Sequence, residues 1–359
     1  MIKPNQFQDT KIKLLRRWTL IFLVGEVLYF SLVGTNYFSL KNIQEIFLAS
    51  TTVLLLATGE TFVIVTGGID LSVGFMVGFS SVVSAKVMVT LWGMGFPQSV
   101  AILSGIILAL LVGLIPGFIN GFLVARLRVP SFIATFGMYG IAYGVAEIIC
   151  GNVPIHNLPS QLGSIGHGYL FYWLPGQTFS FLVKPENLSR EALKRLIPII
   201  PNVTVLTFLF IGIFAFILAR TRFGQHTYAI GGNINAAERA GVNVKVHLIK
   251  VYMISSFFAS LAGVMYVLRF ITGRANAGSA RLLDAVVAVV IGGASLYGGK
   301  GAVMGTVIGA LIIGALEIGL VNLSVPTYNL HIMVGCILIF AVLIDQFSPE
   351  LVENDTHDE

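Results

Sequence analysis

Apolar runs near the length of a membrane-crossing helix, about 20 residues, follow one another along this chain, separated by short polar or glycine-marked breaks. The pattern predicts ten spans, at 17–35, 43–66, 71–92, 98–125, 130–150, 200–220, 248–271, 283–297, 301–322 and 329–346. The eighth is short and flanked by glycine, as a broken or re-entrant helix would be. The predicted fold class is an all-α polytopic membrane protein, with a 5+5 inverted repeat as a candidate arrangement. The domain reading is a cytoplasmic segment at 1–16, a transmembrane domain at 17–346 and a tail at 347–359.

Two connections are long enough to have work. The loop at 151–199 contains "PENLSREALKRLIP", where Ser189 ahead of charges at helical spacing predicts a short surface helix. The loop at 221–247 contains "NAAERAG", a short helix ended by Gly241 and too polar to span. A compact helix between two spans is a natural docking point for a soluble partner. Two weak internal echoes also occur. "VIVTGGIDLSVG" at 63–74 is answered by "AVVIGGASLYGG" at 288–299, and "LRVP" at 127–130 by "LSVP" at 323–326. Their offsets differ, so they do not report one repeat. The second shifts by five spans, which reverses orientation as an inverted repeat does.

Composition supports lipid as the solvent. The chain of 359 residues is 56% hydrophobic and 11% charged, with 39 glycines. Soluble domains carry about 25% charged residues. The net charge of +5 reads as cytoplasmic loop charge rather than a nucleic-acid surface. Cys150 and Cys336 lie in or beside apolar segments and define neither a disulfide framework nor a metal site. The stretch from Trp18 to Val33 follows Lys11, Lys13, Arg16 and Arg17 but contains Glu26 and no clear cleavage site, so it reads as an uncleaved first span.

Placing the N-terminus in the cytoplasm puts Lys3, Lys11, Lys13, Arg16, Arg17, Arg126, Arg128, Arg220, Arg222, Arg239, Lys245, Lys250 and Lys300 on inner segments. The short outer ends hold Lys41, Arg269, Arg274 and Arg281, and the 151–199 loop adds Lys184, Arg190, Lys194 and Arg195. The bias predicts both termini inside, with the acidic tail solvated there.

Enzyme signatures are weak. "GGASLYGGKG" at 292–301 has Ala294 and Gly301 where a phosphate-binding loop needs glycine and Ser/Thr. ATP, if it drives this protein, is hydrolysed by another chain. The six histidines are scattered, and no paired carboxylates mark acid–base work.

The carboxylates at membrane depth are Glu26, Glu60, Asp70, Glu147 and Glu317. An intramembrane acid is a functional candidate by default. Glu60, Asn120 and Glu317 are candidate pathway residues; Asn120 follows Pro116 in a span expected to kink. For Asp70 in "TGGIDLSVG" a structural role is favoured, as an N-cap of the third span at a helix break. Gly67, Gly68, Asp70, Ser72, Gly292 and Gly293 form the helix-break set. The pairs Gly74/Gly78 and Gly117/Gly121, with Gly301/Gly305/Gly309, are spaced for close helix contacts.

Together, "TGGIDLSVG", "GFINGFLVARLRVPSFIATFGM", "GGNINAAERAGVNVKVHLIKVY" and "VVIGGASLYGGKGAVMGTVIGALIIGAL", in this order, resemble the monosaccharide-importing ABC permeases, the ribose, xylose, galactose and arabinose type. The likeness runs from about residue 45 to 346; the outer region near 165–198 is longer than the family pattern. The resemblance implies a bacterial inner-membrane transport subunit without catalysis or cofactor of its own. It also implies a second permease copy, cytoplasmic ATPase subunits that hold ATP and Mg, and an extracytoplasmic solute-binding protein. By the same likeness Asn235, Ala236, Ala237, Glu238, Gly241 and Val242 match the ATPase-coupling element. The expected function is monosaccharide import by alternating access. Alternatives are the same machine with a nucleoside, autoinducer-2 or branched-chain amino acid, or an ion-coupled carrier using Glu60 or Glu317.

Overall fold

The computed structural model describes residues 18–185, 188–326, 328–337 and 339. The expected cytoplasmic segment at 1–16, the acidic tail and the end of the tenth expected span lie outside the described residues.

The helices are α1 (Trp18–Val33), α2 (Leu40–Val65), α3 (Val73–Gly93), α4 (Gln98–Ala125), α5 (Ser131–Cys150) and α6 (Gln161–Gly166). Then come β1 (Tyr169–Leu174), β2 (Thr178–Phe181), α7 (Arg190–Arg195) and β3 (Ile197–Pro201). The chain continues with α8 (Asn202–Arg220), α9 (Arg222–Gly232), α10 (Ile234–Arg239), α11 (Val244–Phe270), α12 (Arg281–Ile291) and α13 (Val303–Asn322). Last is α14 (Tyr328–Ile337).

Among the described residues, seven helices are long and apolar enough to cross a membrane: α2, α3, α4, α5, α8, α11 and α13. The difference from the ten expected spans lies in α1, α12 and α14. With 11 residues, α12 extends about 16 Å, roughly half the hydrocarbon thickness. The short eighth element is thus a half-helix.

Small residues decide which helices meet. Lipid tails are as apolar as leucine, so membrane helices associate through close packing rather than through exclusion from water. Helix α11 lies at the centre, packed against α2, α3 and α4. Its antiparallel contact with α4 follows a glycine stripe. Gly113 rests on Ser260, Gly117 on Ser256 and Tyr252, and Gly121 on Ile249. The other small-residue spacings also mark close approaches. Gly74 meets Leu282, Gly78 meets the Ala275 carbonyl, Gly305 meets Gly292, and Gly309 meets Ala288. The apolar window of α2 is 83% buried, against 28% for α8. So α2 belongs to the interior, and α8 keeps a flank for lipid.

The molecule has two distinct ends. At one, the Gly299 N–H donates to the Val65 carbonyl at 2.9 Å and the Tyr228 hydroxyl to the Gly301 carbonyl at 2.8 Å. This corner end holds the turns after α2 and α12, with α9. At the other, Gln44 Nε2 donates to the Pro198 carbonyl at 2.7 Å, and the Gln161 N–H to Gln98 Oε1 at 3.0 Å.

This second end carries a feature absent from the all-α expectation, a three-stranded antiparallel sheet of order β2-β1-β3. Its signal was in "YLFYWLPGQTFSFLV": two aromatic-rich runs around Pro175–Gly176, with Gly176 at φ +76° in the turn. The expected surface helix is α7, capped by Ser189 Oγ, which accepts the Ala192 N–H at 3.1 Å. At the corner end α9 is a second helix beside α10; the glycines of "RFGQHTYAIGG" hid it, since glycine is a poor helix former.

Candidate functional site

The stretch "TGGIDLS" leaves α2 through a glycine turn. Gly67, at φ +81°, donates its N–H to the Ile64 carbonyl, and the Gly68 N–H reaches back to the Val63 carbonyl. These bonds satisfy carbonyls at the helix end, and only glycine adopts that backbone without strain. Gly68 admits the Tyr252 hydroxyl so closely that a methyl there would stand 2.6 Å from it.

The turn carries Asp70 into the interior, where it is fully buried. Asp70 Oδ1 accepts the Ser72 N–H at 3.0 Å and the Ser72 hydroxyl, and Oδ2 accepts the Ser255 hydroxyl at 2.9 Å. This corrects the expected helix cap. Helix α3 begins at Val73, its N-cap is Ser72, and no side chain caps it. Asp70 stands two residues from Ser72, the reach of an Asx turn. It therefore ties the turn to itself and to α11 rather than to the first turn of α3.

Around Asp70 the structure gathers groups from four helices. On α2, buried Glu60 accepts the Asp70 N–H through Oε2 at 3.4 Å, while its Oε1 has no partner among the described residues. On α4, Asn120 Nδ2 donates to Ser72 Oγ at 3.0 Å, and Asn120 Oδ1 likewise has no partner among the described residues. Helix α4 runs continuously through Pro116. On α5, Thr135 Oγ1 accepts the Leu71 N–H at 3.1 Å and Ser131 Oγ accepts the Ile69 N–H at 3.4 Å. The loop backbone thus finds its partners inside protein, as non-helical chain at membrane depth must. Sequence reasoning missed Ser255, Thr135 and Tyr252. The adjacent serines of "VYMISSFFAS" were the available signal for Ser255.

Glu317 does not join this network. It makes a two-point ion pair with Arg281, at 2.8 and 2.9 Å, and Arg281 also donates to Asp284 at 3.2 Å. This cluster ties the start of α12 to α13. The three pathway candidates therefore divide between two places, Glu60 with Asn120 and Glu317 apart.

The second helix-break set forms its own turn. Gly293, at φ +88°, donates to the Val290 carbonyl, and the Ala294 N–H to the Val289 carbonyl. Gly292 lies against the backbone of Gly305 and Thr306. Among the described residues, no three His, Cys, Asp or Glu side chains converge as metal ligands.

Helix α10 is capped by Asn233, whose Oδ1 accepts the Ala236 N–H at 2.9 Å, and the chain turns at Gly241, φ +85°. Ala237 is buried with Ile230 and Val244, against Val242 and Leu248. Among the positions matched to the coupling element, Ala237 faces inward and holds α10 onto α9 and the start of α11. The exposed face is Ile234, Asn235, Ala236, Glu238 and Arg239.

Interrupted helices, small-residue contacts and polar groups held at a break inside an apolar bundle define a multi-pass membrane protein of the permease kind. The family described as "Branched-chain amino acid transport system / permease component" matches residues 42–342. The ribose import permease protein RbsC of Escherichia coli (strain K12) is 33% identical over 336 residues, 94% of this chain and 95% of its own. The xylose transport system permease protein XylH of Haemophilus influenzae is 33% identical over 370 residues, covering 92% and 96%. The fructose import permease protein FrcC of Rhizobium meliloti is 33% identical over 329 residues, covering 91% and 84%. The chain belongs to this family of sugar-type ABC importer permeases.

Proposed function

We propose that this chain is the membrane subunit of a binding-protein-dependent importer and passes a monosaccharide by alternating access. The observation that carries the reading is full-length similarity to permeases named for ribose, xylose and fructose. The family description names branched-chain amino acids, which keeps that cargo as the second reading. In this proposal the polypeptide crosses the inner membrane ten times, with α1, α12 and α14 completing the count, and both termini face the cytoplasm. Exposed Arg126, Arg128, Arg220, Arg222, Arg239, Lys245, Lys250 and Lys300 gather at the corner end, which supports placing that end inside.

The assembly would contain a second permease and cytoplasmic ATPase subunits that bind ATP and Mg. The exposed face of α10 would lie in an ATPase groove. Tight packing of α10 on α9 would carry motion to the corner, since Gly231 of α9 sits against the Val65 carbonyl and the Gly299 N–H. The permease itself needs only modest sugar affinity, because selection occurs in the binding protein. Binding of ribose, xylose, fructose, nucleosides and leucine to the cognate binding protein, followed by uptake in reconstituted complex, tests the cargo. Binding of leucine alone would replace the sugar reading.

Coupling has its own test. Ala236→Arg is expected to weaken ATPase association or uncouple hydrolysis from uptake, while the permease folds normally. Ala237→Arg is expected to damage the fold of the α9–α10 unit itself. Normal ATPase association and normal uptake in Ala236→Arg would remove α10 from the coupling path.

A further inference from the structure

The sheet turns one face away from the helices. Along β1, Tyr172 and Leu174 are buried and Trp173 between them is exposed. Strand alternation puts Phe171 with Trp173 on the outward face. Across the ladder Phe171 stands opposite Phe181 and Ile199, and Trp173 opposite Phe179 and Ile197. Directly opposed residues share a face, so the outward face is apolar at every one of these positions. Trp173, Phe179 and Phe181 are 46%, 63% and 57% exposed, too much for a sheet that meets only water.

Cations flank the strands of this sheet along the chain. Exposed Lys184 follows β2, and exposed Arg190, Lys194 and Arg195 lie on α7 just before β3, with Glu191 as the exposed acid there among the described residues. Aromatic rings beside basic side chains are the composition of a membrane-surface element.

We propose that the outward face of the sheet is an interfacial anchor. Its aromatic rings settle at the boundary of headgroups and acyl chains, and Lys184, Arg190, Lys194 and Arg195 contact the phosphates of anionic phospholipid. Two other occupants fit less well. A solute-binding protein that cycles on and off would leave the apolar face in water between visits. A second copy related by a two-fold axis would bring like-charged borders together, whereas lipid phosphate attracts them. The bilayer is the permanent neighbour with complementary charge. The proposal goes beyond the transport reading and does not depend on the cargo.

The chain has three tryptophans, so W18F/W92F in the full-length protein leaves Trp173 as the only reporter. It is reconstituted in vesicles of phosphatidylethanolamine and phosphatidylglycerol. Lipid brominated near the top of the acyl chain is expected to lower Trp173 emission roughly twofold, and aqueous iodide to have little effect. Quenching by iodide without quenching by brominated lipid would place the sheet in water and overturn the proposal. Protection from both would place a protein there and overturn it equally. A second variant keeps the native tryptophans. R190E/K194E/R195E is expected to lose the preference for co-purifying phosphatidylglycerol over phosphatidylcholine, read by native mass spectrometry. An unchanged preference would overturn the role of the cations. Neither measurement involves transport, so failure of the sugar reading leaves this test intact.

Discussion

At Gly67 and again at Gly293 the chain leaves a helix through a left-handed glycine, with the same pair of backbone bonds closing the helix end. Beyond that turn the two corners differ. The first carries Asp70 into a buried network with Glu60, Ser72, Asn120 and Ser255. The second passes exposed Tyr297 and Lys300 and packs by backbone, against Val65 and Tyr228. Equal backbone geometry with unequal side chains means that the turn is structural equipment common to both, while polar specialisation belongs to one.

The alignment of the two is instructive. The sequence echo pairs Gly67 with Gly292 and Gly68 with Gly293. The structure pairs Gly67 with Gly293, one position out of step, because only the left-handed residue defines the turn. In each corner the remaining glycine does something else. Gly68 admits a tyrosine hydroxyl, and Gly292 admits the backbone of α13.

The largest expected effect separates the corners by chemistry. Asp70→Leu strands the Ser72 and Ser255 donors and should destabilise the protein by about 3 kcal/mol or more, seen as a several-fold loss of monodisperse protein in detergent. Asp70→Asn keeps an acceptor and should retain most folded protein and uptake. A well-folded Asp70→Asn without uptake would show that the charge itself acts in transport.

Next come the two packed glycines. A methyl at Gly292 would stand 2.5 Å from the backbone of Gly305 and Thr306. That backbone cannot swing aside, so Gly292→Ala should cost about 3 kcal/mol. Gly68→Ala meets side-chain atoms, the tip of Tyr252 and Val63 Cγ1 at 3.2 Å, and should lower the melting temperature less. The reverse order would mean that the corners are packed differently from this structure.

The third effect should be equal in both corners. Gly67→Ala and Gly293→Ala each place a side chain in a left-handed residue and should each cost roughly 1–2 kcal/mol. No neighbour lies within 4 Å of a methyl at Gly293, so backbone strain is the whole cost there. Melting temperatures that differ widely between the two variants would contradict a shared turn.

The smallest effect is Ser131→Ala. Its bond to the Ile69 N–H is long, 3.4 Å, and its loss should cost below about 1 kcal/mol. A larger drop in melting temperature would mean that α5 holds the first corner more firmly than this bond shows.

Much of this was written in local pattern. Hydrophobic run length predicts α2, α3, α4, α5, α8, α11 and α13 near their observed limits, because each span must satisfy its own backbone within one helix. Glycine spacing predicted the close contacts, since the absence of a side chain is itself a local property. The Ser189 cap and the helix at "NAAERAG" are likewise short-range signals. The sheet at 169–201 was legible in alternation and a Pro–Gly turn, but its strands are only four to six residues long, too short to stand out beside the long apolar runs.

What the chain could not display locally is partnership across distance. That Asp70 reaches Ser255, that Glu60 joins it and Glu317 does not, and that Ala237 faces inward are all decided by which helices come together. The same holds for the one-step shift between sequence echo and structural turn. Dipeptide "GG" offers two candidates for the left-handed residue, and packing against Tyr252 in one corner and Gly305 in the other leaves a different glycine free to take it. The amino-acid sequence by itself determined the membrane class, the interrupted helices and the family. Only the tertiary structure decided which buried groups meet, because a hydrogen bond or a close contact needs two partners, and the second can lie far along the chain, as Ser255 lies 185 residues from Asp70.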